Sequence, residues 1–230
     1  MLSLLPLSAF THYLIFPQES KSILIDFSNF EKDGRLYFKP NTPQNTIDTL
    51  KNLIQQASLR IDSFWGTKTG NPKFIYCDTD EDFKKYGTTK HVPAATQLKL
   101  GSYIIISKEG IDLDIIAHEM AHAAFFEQVG FYKRRFVIPT WFDEGLAMQV
   151  DYRACYSENS FKRETNNCKN VPDVTQLTTG TQFYEGTLEQ IMLNYSTAKH
   201  EVKNWYSKDK LEKLILGLNE GQDFDSVFAH

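Results

Sequence analysis

Apolar and polar positions alternate with two different rhythms along this chain, and the rhythm changes mark its elements. Ile23–Phe27 and Arg35–Lys39 show strand-like composition, with Lys32-Asp33-Gly34 as the turn between them. From Thr42-Pro43 the period lengthens. Ile47, Leu50, Leu53, Ile54, Ala57, Ile61 and Phe64 recur at helical spacing and predict one long helix ending near Gly66. Lys73–Cys77 reads as a short strand, and Asp78-Thr79-Asp80 as the cap of a helix over Glu81–Tyr86. Thr88–Gly101 is polar and irregular, a loop by pattern. Ser102–Ser107 is the strongest strand in the chain. Gly110 breaks it, and Asp112 or Asp114 begins an apolar helix.

Beyond Gly130, the run from Pro139 to Met148 predicts a second helix with Thr140 as its cap. Residues 153–184 are polar and read as a long loop or lobe. Helical spacing returns with Leu188, Ile191, Met192 and Tyr195, then over Lys208–Leu218 and Asp223–Phe228. There is no internal repeat and no linker that separates two independent domains. The expected organisation is an apolar N-terminal segment, 1–21, followed by a single domain over 22–230.

Composition narrows the class. With 230 residues, 41% of them apolar, and 17 Phe and 11 Tyr, the chain can bury a substantial core. The net charge is −4 with both signs interspersed, and the densest basic cluster, Lys133-Arg134-Arg135, is short. A nucleic-acid footprint needs a larger basic surface, so nucleic acid is excluded as a partner. Of the 3 cysteines, Cys77 lies in an apolar strand-like run and reads as an inert buried thiol. Cys155 and Cys168 flank a polar stretch and would close a loop in an oxidising compartment. None has C-x-x-C spacing, which argues against a cysteine zinc site.

Residues 1–17 contain no Lys, Arg, Asp or Glu. The positive start of a secretory signal is missing, and Pro6, His12 and Pro17 break a run too short to span a membrane. The segment reads as a remnant of an anchor, as an atypical signal, or as a piece packed on the domain. Membrane association through it, and a cell-envelope or exported location, are the expectations; a cytoplasmic location is the alternative.

Chemistry concentrates in the apolar helix, at His118-Glu119-Met120-Ala121-His122. A helix turns roughly 100° per residue, so His118 and His122 lie one turn apart on one face. From there two imidazoles can reach one ion at the ~2.0–2.1 Å that zinc prefers. Glu119 sits beside such an ion, where a general base acting on water belongs. Isoleucines, alanines and a methionine surround the triplet, and an uncompensated His-Glu-His cluster in a buried helix would be costly.

A catalytic zinc usually has three protein ligands. Glu144, in the second predicted helix, is the best candidate for the third, and Gly145 beside it would permit close helix packing. Asp143 is the competitor, pointing about 100° away on the same helix. The strand 102–107 runs into the His-Glu helix. If its edge is open, Tyr103 and Ile105 would line a site where extended substrate main chain pairs with it; an ordinary internal strand is the other reading.

Together, H-E-M-A-H and P-T-W-F-D-E-G-L-A resemble the gluzincin zinc metallopeptidases, specifically the peptidase MA-like family, which pairs H-E-x-x-H with W-x-x-E-G-x-A. The likeness covers roughly residues 22–229. Upstream it takes in Phe64-Trp65-Gly66 and Phe74 to Phe83; downstream it takes in Asn194-Tyr195-Ser196, Lys208 to Leu211 and Phe224 to Phe228. It implies an α+β, zincin-like fold: a mixed β-sheet with the active-site helix in the N-terminal part, and a mostly helical C-terminal part. It implies Zn2+ as cofactor, His118, His122 and Glu144 as its ligands, and Glu119 as the base that takes a proton from water and hands it to the leaving amine. A peptide or protein is then the substrate. Tyr195 and His200 are candidates to steady the oxyanion, each with an ordinary structural role as its alternative.

This chain departs from the family pattern at two places. Met148 stands where many gluzincins carry an acid that orients a histidine, so the outer support must come from Asp143, Asp151 or a backbone carbonyl. The G-x-M-E-N motif of aminopeptidases is absent, which favours an endopeptidase. Other readings are a silent zinc- or peptide-binding module, a zinc hydrolase of a non-peptide bond, and a purely structural metal.

Overall fold

The computed structural model describes residues 12, 14–66, 70–99 and 101–229. Residues 1–11 and 13, on which the anchor or signal expectation mostly rests, lie outside the described residues. Among the described residues no helix is long and apolar enough to cross a membrane. The protein is mixed α/β, and its chain divides into two compact units: residues 1–59 with 70–123, and residues 60–69 with 124–230.

The first unit is built on a five-stranded mixed sheet: β1 (Glu31–Asp33), β2 (Leu36–Phe38), β3 (Lys73–Tyr76), β4 (Ala94–Gln97) and β5 (Tyr103–Ile106), in the order β1-β2-β3-β5-β4. The central pairs β2–β3 and β3–β5 are parallel, and the outer pairs β1–β2 and β5–β4 are antiparallel. Side chains alternate faces along a strand. One face presents Tyr37, Ile75, Cys77, Tyr103 and Ile105, covered by Ile25, Phe83 and Tyr86. Leu36, Phe74, Ile104 and Ile106 on the opposite face are equally buried. A strand buried on both sides reads as a continuous apolar run, which is why Tyr103-Ile104-Ile105-Ile106 stands out in the sequence.

Local chemistry explains where the helices begin. In α3 (Asp80–Tyr86) the Thr79 hydroxyl accepts from the Asp82 backbone N–H at 3.2 Å; α1 and α2 are Pro17–Ile23 and Gln44–Trp65. For α4 (Leu113–Phe136) the cap is Asp112, whose Oδ1 accepts from the N–H groups of Asp114 and Ile115 at 2.9 and 3.1 Å. Gly130, at φ 78° and ψ 168°, breaks the helical path of α4.

Three expectations from the sequence differ here. Ile23–Phe27 is not a strand: it is the end of α1 followed by a 3₁₀ turn, Ile25–Phe27. Its amides bond locally, Leu24 to Ser20 and Phe27 to Leu24, while Ser22 donates to the Tyr86 carbonyl. The strand before the turn is β1 instead. Within 88–101, read as a loop, lies β4. It follows that β5, flanked by β3 and β4, has no open edge; the outer position belongs to β4.

The second unit is helical: α5 (Thr140–Ala147), α6 (Glu158–Glu164), α7 (Gly180–Tyr184), α8 (Leu188–Trp205), α9 (Lys208–Asn219) and α10 (Phe224–Phe228), with the last part of α4. Phe142, fully buried, is ringed by Phe125, Trp205, Phe224 and Phe228 at centroid distances of 5.0–6.1 Å. Pro139, not Thr140, is the residue before α5. The N–H groups of Thr140 and Trp141 are met by the carbonyls of Thr178 and Leu177 at 2.8 and 3.3 Å. Residues 153–184, expected to be a long loop or lobe, contain α6, α7 and two 3₁₀ turns. After α6, Asn166, Asn167 and Cys168 run in succession through positive φ. Cys155 and Cys168 are unbonded, exposed thiols, and Cys77 is a buried one.

Candidate metal centre

The site is assembled from helix geometry outward. His118 and His122, one turn apart on α4, are only 6% and 5% exposed. Their rings meet edge to face, and their Nε2 atoms lie 3.2 Å apart. Two nitrogens bound at ~2.05 Å to one tetrahedral zinc would stand about 3.3 Å apart. The same spacing also suits an N–H···N bond between unlike tautomers, so a third donor is what distinguishes a metal centre from a histidine pair. Glu144 could be that donor. It is 5% exposed, and the ligand atoms of His118, His122 and Glu144 all lie within 4.8 Å of one another. Two imidazoles and one carboxylate form a donor set that fits a catalytic zinc and leaves a coordination position for water.

Close packing holds Glu144 in place. At Gly145 an added Cβ would stand 2.5 Å from Val202 Cγ2 and 2.6 Å from the Ala198 carbonyl oxygen, so α5 lies against α8 at a distance only glycine permits. The Tyr184 hydroxyl donates to Glu144 Oε1. Burial, and then the carboxylate beside it, push the Tyr184 phenol well above its usual range, so it remains a proton donor. Tyr184 thus holds the carboxylate of Glu144, a task distinct from the orientation of a histidine that the acid at position 148 performs in the family pattern. Asp143 pairs with Arg134 at 2.5 Å, and Asp151, fully buried, pairs with Arg153.

At Glu119, the Thr96 hydroxyl lies 2.5 Å from Oε2 and 3.2 Å from the backbone oxygen. Thr96 stands on β4. The outer strand of the sheet is therefore linked directly to the glutamate of the His-Glu helix.

Other residues singled out in the sequence fall elsewhere. Tyr103 is buried and Ile105 fully so, both in the sheet's core cluster, where they can offer a substrate neither side chain nor open edge. Tyr195 packs among Tyr156, Phe183 and Tyr184, at centroid distances of 6.0, 5.1 and 6.4 Å; it adjoins the residue that holds Glu144. His200 stacks on Phe161 at 4.5 Å and accepts from Asn204. No motif in the sequence marks Thr96 or Tyr184. Thr179-x-x-Gln182 is a legible capping box that announces α7, but it does not say where Tyr184 points.

Comparison of the chain with protein-family models, with curated proteins and with solved structures finds no match.

Proposed function

We propose that this chain is a zinc-dependent metallopeptidase of the gluzincin type, with a zincin-like fold, acting as an endopeptidase on peptide or protein substrates. One observation carries the reading: His118, His122 and Glu144 converge with their ligand atoms within 4.8 Å, beside a glutamate in the H-E-x-x-H position. His118, His122 and Glu144 would hold the zinc, which would supply Lewis-acid chemistry at this position. Glu119 takes the proton from the attacking water and delivers it to the departing amine. Thr96 holds the Glu119 carboxylate, and Tyr184 holds the carboxylate of Glu144. The outer position of β4 in the sheet offers main-chain groups to which an extended peptide can pair.

The test is metal content and turnover measured together. The wild-type protein is expected to bind one zinc per chain and to cleave internal bonds of mixed peptide libraries. Glu119→Gln should retain the zinc and lose turnover by at least ~100-fold. Failure of the wild type to hold stoichiometric zinc, or full activity in Glu119→Gln, removes the proposal. Hydrolysis of esters but not peptides redirects it to a non-peptide substrate.

A further inference from the structure

After Gly130 leaves the helical path, the last turns of α4 expose an unusual surface. Phe131, Tyr132 and Phe136 are 38%, 69% and 65% exposed. At roughly 100° per residue, they and Arg135 fall within about 140° of arc, so one helix face carries three aromatic rings and a guanidinium. The rings touch one another: Phe131 and Phe136 at 6.4 Å, Tyr132 and Phe136 at 5.3 Å. The Arg135 guanidinium lies 5.7 Å from the Phe136 ring. Arg134 turns inward to Asp143 and Lys133 reaches Asn219 on α9, which anchors the turn and leaves the aromatic face to solvent.

Charge identifies the occupant. Residues 128–142 contain three basic side chains and no Asp or Glu; Arg134 is paired with Asp143 and Lys133 is bonded to Asn219, so the cation presented among the rings is Arg135. Aromatic rings with cations among them match the head-group level of a bilayer, where rings bury their apolar bodies and Lys or Arg meets lipid phosphate. We propose that Phe131, Tyr132, Arg135 and Phe136 form a docking face for an anionic phospholipid surface. The contact is peripheral: the rings sink to the head-group boundary, and Arg135 supplies the dependence on anionic lipid. It holds whether or not the chain is a peptidase.

Co-sedimentation of the full chain with phosphatidylcholine vesicles, with and without phosphatidylglycerol, tests it. The wild type is expected to partition onto the phosphatidylglycerol vesicles and to be released by salt. Each cation near an anionic surface contributes about fivefold, so Arg135→Glu should weaken partitioning by on the order of twentyfold. Phe131→Ser with Phe136→Ser should abolish it while the melting curve stays that of the wild type. Absence of wild-type binding overturns the proposal. So does binding that survives these substitutions, which would place the contact in the apolar stretch 1–16. Gel filtration supplies the remaining arm: a concentration-dependent dimer lost in the same variants would make the occupant a second copy of the chain.

Discussion

The phenol of Tyr184 donates to Glu144 Oε1 across 40 residues of sequence, and it does so from a buried position. A carboxylate so held has its orientation set before any ion arrives. Outer contacts of this kind typically change metal affinity by 10–100-fold. Tyr184→Phe, which removes one oxygen and keeps the ring, should therefore weaken zinc binding by at least ~10-fold in competition with a chromophoric chelator. Equal affinity in the two proteins would assign the tyrosine to packing alone.

Thr96 bears on Glu119 in a parallel way. Thr96→Val keeps the shape of the side chain and removes the hydroxyl donor to a carboxylate, a bond worth about 1.5–3 kcal/mol. The expectation is a fall in kcat of roughly tenfold or more with zinc stoichiometry unchanged. A change confined to KM would show that Thr96 serves binding and not the base.

Gly145 permits the approach of α5 to α8. In Gly145→Ala the new methyl meets Val202 and the Ala198 carbonyl, and overpacking of this sort costs about 1–3 kcal/mol. The urea midpoint should drop accordingly, and zinc affinity with it, because Glu144 is the preceding residue. An unchanged midpoint would contradict the packing described here.

The thiols separate by environment. Burial pushes the Cys77 thiol far up, while Cys155 and Cys168 are exposed. In the reduced, folded protein at mildly alkaline pH an aromatic disulfide reagent should titrate Cys155 and Cys168 promptly and reach Cys77 only after denaturant. Prompt reaction of all three would show that the β3 end of the sheet opens readily.

Asp26 sits among Lys73 at 2.8 Å, Tyr37 at 2.6 Å and Lys32 at 3.2 Å. These hydrogen bonds, Lys73's first, hold its carboxyl well below the usual range. A folded-state value below the unfolded ~3.9 stabilises the fold above that pH, and the contribution disappears as acid protonates the group. The side chain is 41% exposed, so screening keeps the effect below about 1 kcal/mol. Asp26→Asn should be slightly less stable at neutral pH, with the gap closing as pH falls below about 4. A gap that widens in acid would reverse the sign and the assignment.

Much of the site's composition was legible because helix geometry is local. The spacing of His118 and His122 predicts a shared face, and the apolar frame around them predicts burial. Glu144 was preferred over Asp143, and Glu144 is the one grouped with the histidines while Asp143 meets Arg134. What escaped depends on contacts between distant segments. Ala94-Ala95-Thr96-Gln97 has no apolar alternation, so β4 is a strand only by virtue of β5 beside it. Ile23–Phe27 has a strand's composition but closes its hydrogen bonds within its own turn. Tyr184 lies in a polar stretch whose helix is five residues long, too short for periodicity to register.

The two outer strands also bear on self-association. β1 is Glu31-Lys32-Asp33, exposed along its whole length, and β4 is four residues long. Charged or very short outer strands give a neighbouring chain little to zip onto, which is how natural sheets resist runaway stacking into fibres. Neither outer strand offers a long apolar border on which stacking could begin. A protein built this way should refold from dilution without the losses that a long apolar border would impose.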